Sequence, residues 1–405
     1  MSSEAKKIFT LAFFAISLAE VCVAVSLQMF ESTFSLHIDS LHLPAFIAGS
    51  VIGAGAVSAS VLRFFGGTLC EKAGRKRLLI AGVVIFASML FFVGRTTSLF
   101  MMYLLTVIQM GGYSMASTAI SVMIVDVVPR ESLGKGMGYF GLASSLAGAI
   151  GPSLALIAFA TKGAFRTVTA EAAAISALAL FIAVFLIRYQ EPGRGKGAGA
   201  SGMQDPAGTD KTAAVPRAKG FWYYIERSAL PASLINGMIV FVECLVTMFI
   251  TLYAKRNGIE NISLFFTISV IFIVISKIVS GRLADRYDAL VVFIPGALSL
   301  ALCFVLLILA PFAHMLVLIA AVFYGIGSGL TLPSLNAEAV RRAPVERASV
   351  ASSTFFLPMD LAMIVGSTIW GGLIDLVDFK ASYLVSICVI ACSIVLSVLF
   401  LRKKD

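Results

Sequence analysis

Charge is in short supply. Asp, Glu, Lys and Arg together make up 13% of the 405 residues against 59% hydrophobic ones, and the mean hydropathy is +0.97. A soluble globule cannot cover its surface with so few charges, so this is the composition of a polytopic membrane protein. Catalytic vocabulary is just as thin. The sequence has three histidines, no phosphate-binding loop, no nucleophile motif and no metal-ligand spacing, which excludes the common enzyme classes and gives no reason to expect a cofactor. His37, His42 and His314 fall in or beside short external loops without clustered partners, so they do not point to a metal site. The six cysteines, Cys22, Cys70, Cys244, Cys303, Cys388 and Cys392, lie almost entirely within apolar runs. They read as small packing residues rather than a disulfide framework. Alternation of apolar and polar residues is also missing, and continuous apolar runs exclude a transmembrane barrel.

What is present is a succession of apolar stretches. At about 20 residues per span plus short loops, the chain accommodates about twelve transmembrane helices, the first over about residues 8–36 and with no cleavage site after it. Residues 189–228 are the one long hydrophilic stretch, rich in Gly, Ala, Pro, Lys and Arg, and read as a linker between two halves, 1–188 and 229–405. A net charge of +9 does not imply a nucleic-acid partner, because the bases follow membrane sidedness. Roughly 23 of the 31 Lys and Arg fall on the side shared by the termini and the linker, and about six on the other. That side is expected to be cytoplasmic. The compact loops and short termini fit a bacterial inner membrane.

One stretch recurs. Gly67-Thr-Leu-Cys-Glu-Lys-Ala-Gly-Arg-Lys-Arg-Leu-Leu79 is a basic, glycine-punctuated turn between two spans, and Gly281-Arg-Leu-Ala-Asp-Arg-Tyr-Asp288 repeats its register about 214 residues later. In each copy a leucine follows the glycine by two residues, an acid (Glu71, Asp285) by four and a base by five. Pro129 and Glu131 likewise match Pro344 and Glu346, Gly151 matches Gly366, and Arg63 matches Lys277. Glycines at helix ends permit close helix approach, and the acids stand where a carboxylate could face a helix N-terminus. The repeated turn resembles the signature of the loop between helices two and three of the major facilitator superfamily, and its second copy sits where that superfamily carries its own. The resemblance covers essentially the whole chain. It implies an all-α fold of twelve helices in two six-helix, pseudo-symmetric halves, working as a monomer by alternating access. It also implies a cytoplasmic latch from Gly67, Glu71, Gly74, Arg75, Gly281, Asp285 and Arg286, with Asp126 pairing to Arg75. Glu71 departs from the family's aspartate, and the second copy lacks the closing Gly-Arg-Lys.

Ionisable groups inside spans cost about 2.5 to 3.5 kcal/mol on insertion scales, so each needs a reason. The resemblance places spans one, four, seven and ten around a central cavity. Glu20 in span one and Glu243 in span seven lie near mid-span and are the leading candidates for proton or substrate binding, with Gln28 and Asn236 as neutral polar companions. Desolvation disfavours an ionised carboxylate, so such a group could load and release a proton as the cavity wets and dries. Packing against a polar neighbour is the competing reading. Asp360, just after Pro358 in span eleven, serves packing or coupling equally well, while Arg63 and Lys277 are expected to snorkel. Thr106 stands three residues before Gln109, where proton-coupled members of the superfamily often carry Arg. Gly151-Pro152 resembles the antiporter signature of span five and is expected to bend that helix. Methionines and aromatics on the cavity spans, among them Met110, Phe30, Phe241 and Tyr324, suit an amphipathic organic substrate.

Three functions compete. The first is a proton-driven exporter of small amphipathic compounds; the second is an importer or facilitator of a metabolite. The third is a receptor on a transporter fold, which lacks a long soluble tail for signalling output.

Overall fold

The computed structural model describes residues 10–129, 133–162, 164–187, 225–284, 287–344 and 347–401. Among them lie twelve helices long and apolar enough to cross a membrane, with mean hydropathy between 1.3 and 2.9 in their most apolar windows. They are α1 (Leu11–Ser40), α2 (Ala45–Ala73), α3 (Arg75–Val93), α4 (Leu99–Val127), α5 (Leu133–Lys162), α6 (Phe165–Phe181), α7 (Leu230–Arg256), α8 (Ser263–Ala284), α9 (Ala289–Leu309), α10 (Met315–Arg341), α11 (Ala348–Leu376) and α12 (Phe379–Leu401). A lipid-immersed backbone must bond to itself, which is why apolar runs of this length become helices and the polar residues gather at their ends.

The ends are built from local chemistry. Thr10 caps α1 by accepting from Phe13 N–H at 3.2 Å, and Pro44 opens α2 after a turn in which His42 takes φ 57°. Gly258, at φ 64°, closes α7. α2 and α3 are joined by Gly74 alone, at φ 90°. The first helix runs to Ser40, beyond the expected span, because nothing from His37 to Ser40 breaks a helix and the turn waits for His42 and Pro44. His37 is therefore on a helix and not in a loop, stacked on Phe165 with ring centroids 4.2 Å apart. α6 ends in a π turn, Ile182–Leu186. Most of the expected linker lies outside the described residues; its last part, from Ile225, leads into a 3-10 turn at Arg227–Ala229.

The sequence repeat is a repeat of packing. α3 lies along α4 and α9 along α10, each crossing made at paired glycines. A Cβ on Gly82 would come within 2.7 Å of Gly112 O, and one on Gly327 within 2.8 Å of Gly296 O; small residues are what let membrane helices approach so closely. α1 packs on α5 and α6 as α7 packs on α11 and α12. Between the halves, α2 meets α11 and α5 meets α8, two seams exchanged by the same pseudo-twofold relation, while α1 and α7 meet near the axis.

Candidate functional site

One face of the bundle carries the described ends nearest the termini. There Lys76 donates to Ile187 O at 2.9 Å, and Arg342 donates to Leu401 O at 2.6 Å. Arg347 pairs with Glu226 at 2.9 Å, and buried Glu338 is held by Arg341 and Arg342. Arg75 donates to the Asp126 carboxylate, tying the start of α3 to the end of α4 within one half. Asp285 and Arg286 lie outside the described residues, as do the side-chain surroundings of Gly67, Glu71 and Gly281, so the remaining latch residues stay an expectation. We call this the terminal face.

On the opposite face the halves are tied together. Asp39 on α1 pairs with Lys255 at 2.7 Å and with Arg256 at 3.6 Å, both on α7. Thr251 donates to Ser32 O at 2.7 Å. α2 and α11 touch so closely that a Cβ on Gly49 would stand 1.9 Å from Ser367 O.

Between these faces lies a polar belt. Glu243 is thirteen residues from either end of α7, at its midpoint. The Ser328 hydroxyl on α10 faces its carboxylate and Lys277 on α8 is within electrostatic reach, yet Oε1 has no hydrogen-bond partner. Thr247, one turn on, shares a 3.4 Å contact with the Tyr324 hydroxyl. In the first half Glu20 is buried with Oε2 unpartnered, and it acts on Tyr113 of α4 together with Glu31 and Arg63. Glu31 is also within electrostatic range of Cys244 on α7, across the boundary between halves. Gln109 and Asn236 are fully buried, and neither has a partner for its amide. A belt holding this many unsatisfied polar atoms away from lipid is built to contact something other than protein.

The sequence expectations are met unevenly at this level. Glu20 is not central: it and Glu31 lie nine residues from opposite ends of α1, each about 8 Å from its midpoint, so Glu243 is the more central acid. Gln28 abuts α5, its Cβ 2.6 Å from where a Cβ on Gly151 would stand. α5 continues as a helix through Pro152, and Gly151 makes a close contact between α5 and α1. Asp360 accepts from Arg63 at 2.8 Å, and Lys277 Nζ lies 3.1 Å from Ser145 Oγ; both bases point across a seam instead of snorkelling to the headgroups. Phe30 and Phe241 are packing residues, Phe30 against Phe165 and Phe241 against Trp370. Sequence reasoning missed Glu31, Tyr113 and Ser328. Their signal was spacing: Glu31 follows Glu20 by three helical turns, and Gln109 and Tyr113 are one turn apart.

The family model described as Major Facilitator Superfamily matches residues 16–357 and, again, 260–405. The chain belongs to the major facilitator superfamily. Among curated superfamily members, it is 24% identical to the staphylopine export protein of Staphylococcus aureus, over 88% of this chain and 87% of that one. It is also 24% identical to multidrug resistance protein 2 of Bacillus subtilis, over 92% and 90%. The quinolone resistance protein NorA of Staphylococcus aureus matches at 28% over 38% of this chain and 39% of its own. Of solved superfamily folds, the nucleoside transporter NupG superposes with a TM-score of 0.76 at 14% identity, covering 96% of this chain and 100% of that one. A bacterial homologue of the lysosomal transporter Spinster, in an inward-facing unoccupied conformation, gives 0.72 at 14% identity, covering 96% and 95%. The chain is thus a multi-pass membrane transporter, with efflux proteins among its relatives, and not an enzyme.

Proposed function

We propose that the chain is a proton-driven exporter of small amphipathic organic compounds, acting as a monomer with its terminal face in the cytoplasm of a bacterial cell. The observation that carries this is Glu243: a carboxylate at the midpoint of α7, with one oxygen unpartnered and Ser328 and Lys277 of the same half as its polar surroundings. A carboxylate in that setting exchanges its proton for a cationic or hydrogen-bonding substrate as the halves rock. Tyr113, Tyr324 and Thr247 supply faces and hydroxyls for an amphipathic body. Export as the direction is supported by relatives named for staphylopine export, multidrug resistance and quinolone resistance. The distribution of Lys and Arg supports the cytoplasmic placement of the terminal face. Among the latch residues, Arg75 and Asp126 brace the first half on that face.

The test is dye efflux. An efflux-deficient bacterial host expressing the chain is preloaded with ethidium, and fluorescence is followed with and without a protonophore. Energised efflux that collapses with the protonophore is expected; efflux indifferent to it would end the proton-driven reading, and accumulation in place of efflux would reverse the direction.

A further inference from the structure

The two seams between the halves are related by the internal repeat, but their chemistry differs. A shift of about 214 residues carries Arg63 onto Lys277. At the α2–α11 seam Arg63 Nη1 meets Asp360 Oδ1 at 2.8 Å. At the α8–α5 seam Lys277 Nζ meets Ser145 Oγ at 3.1 Å, and Ser145 is the repeat counterpart of Asp360. A hydroxyl stands where the sister seam has a carboxylate.

Lys277 is therefore a cation without its counter-ion. Among the described residues no carboxylate lies within ion-pair distance of it, and Glu243 acts on it only from further off. An ammonium carries three donors, of which Ser145 takes one. The side chain is half-buried and drawn across the seam by Ser145, on the same side as Glu243, so it faces the belt and not the headgroups. Glu243 stands within electrostatic reach to receive a positive group. A compound that satisfied all of these would carry both signs of charge.

We propose that Lys277 and Ser145 form an anion-binding subsite of the transport site, so that the carried compound is a zwitterion whose acidic group, of the carboxylate class, occupies the place that Asp360 fills at the other seam. Its cationic group then lies against Glu243. The inference rests on the reading of the belt as the substrate site.

A pair of dyes isolates the acidic group. Rhodamine 110 carries a free carboxylate, and rhodamine 123 is the same fluorophore with that carboxylate esterified. Binding is read by fluorescence anisotropy on the purified full chain in lipid nanodiscs at neutral pH, where no gradient exists. Wild type is expected to bind rhodamine 110 at least tenfold more tightly than rhodamine 123. Lys277→Gln should erase that preference, with rhodamine 123 affinity kept within twofold, and Lys277→Arg should retain it. Ser145→Asp supplies the absent carboxylate inside the protein and should abolish the preference while Lys277 remains. The proposal is overturned if wild type binds the two dyes equally, if rhodamine 110 shows no saturable binding, or if Lys277→Gln and Ser145→Asp weaken both dyes alike. Protonophore-insensitive efflux beside an intact preference for the free acid would remove the proton-driven reading and leave the subsite standing.

Discussion

Asp375, in the last turn of α11, caps α2 of the other half: its Oδ2 accepts from Phe46 N–H at 2.7 Å, while Oδ1 accepts from Ala45 N–H at 2.9 Å. The first N–H groups of a helix have no partner within it, and a carboxylate there also meets the positive end of the helix dipole. With the ion pair between Asp39 and Lys255, this cap fastens the halves on the face away from the termini.

Removing the charge should loosen that face. Asp375→Asn keeps the shape but gives up a dipole interaction of about 0.3–1 kcal/mol, a shift of about two- to fivefold in the open population. Thr251, buried where α7 meets α1 of the other half, is a reporter. In a background without the six native cysteines, thiol labelling of Thr251→Cys from the opposite side should quicken by that factor in the Asp375→Asn variant. An unchanged rate would show that the cap does not hold the seam.

Gly49 should tolerate no side chain. A Cβ there would stand 1.9 Å from the Ser367 carbonyl, and overpacking costs about 1–3 kcal/mol, equivalent to roughly five- to 150-fold in the closed population. Gly49→Ala is expected to cut dye efflux at least fivefold at matched expression. Gly141, whose Cβ would meet nothing within 4 Å, should accept alanine without loss. Equal activity of the two variants would remove the role of this close approach.

Energy coupling should fail at Glu243 before Glu20. Gln preserves size and hydrogen bonding but does not titrate, so Glu243→Gln should keep dye exchange across vesicles and lose uphill transport driven by a pH gradient. Glu20→Gln, displaced from the mid-plane of α1, should retain part of it. The reverse pattern would move coupling to Glu20, and full accumulation in the double variant would exclude both.

Sidedness is directly measurable. Thr97, in the loop between α3 and α4, and exposed Tyr287, between α8 and α9, lie on opposite faces. As single cysteines in the cysteine-free background, Thr97→Cys should react with an impermeant maleimide in intact cells and Tyr287→Cys only after lysis. The same side for both, or the inverse order, would overturn the orientation proposed for the termini.

The fold was legible because a bilayer demands little more than apolar length, and because the repeat left visible marks at Gly67 and Gly281. Helix ends were less so: Asp39 and Ser40 have loop composition, but only His42 and Pro44 turn the chain. Contacts across the seams were the hardest to read. Arg63 and Asp360 are 297 positions apart, and each alone is consistent with snorkelling or packing. The repeat held part of the answer, since the shift that joins Arg63 to Lys277 also joins Ser145 to Asp360. Glu31 lies as far from its end of α1 as Glu20 does from the other, and the three-turn spacing between them puts both on one stripe of that helix.

Gly74 gives α2 and α3 no slack. At φ 90° it turns the chain in a single residue, so the foot of α2 cannot slide along the foot of α3. α2 touches the other half near its far end at Gly49 and further down at Arg63, while α3 lies in the outer layer against α4 and α6. The two helices are thus hinged at one residue, and a displacement of α2 at its seam with α11 is handed at that foot to α3 and to the α4 and α6 surfaces it packs on.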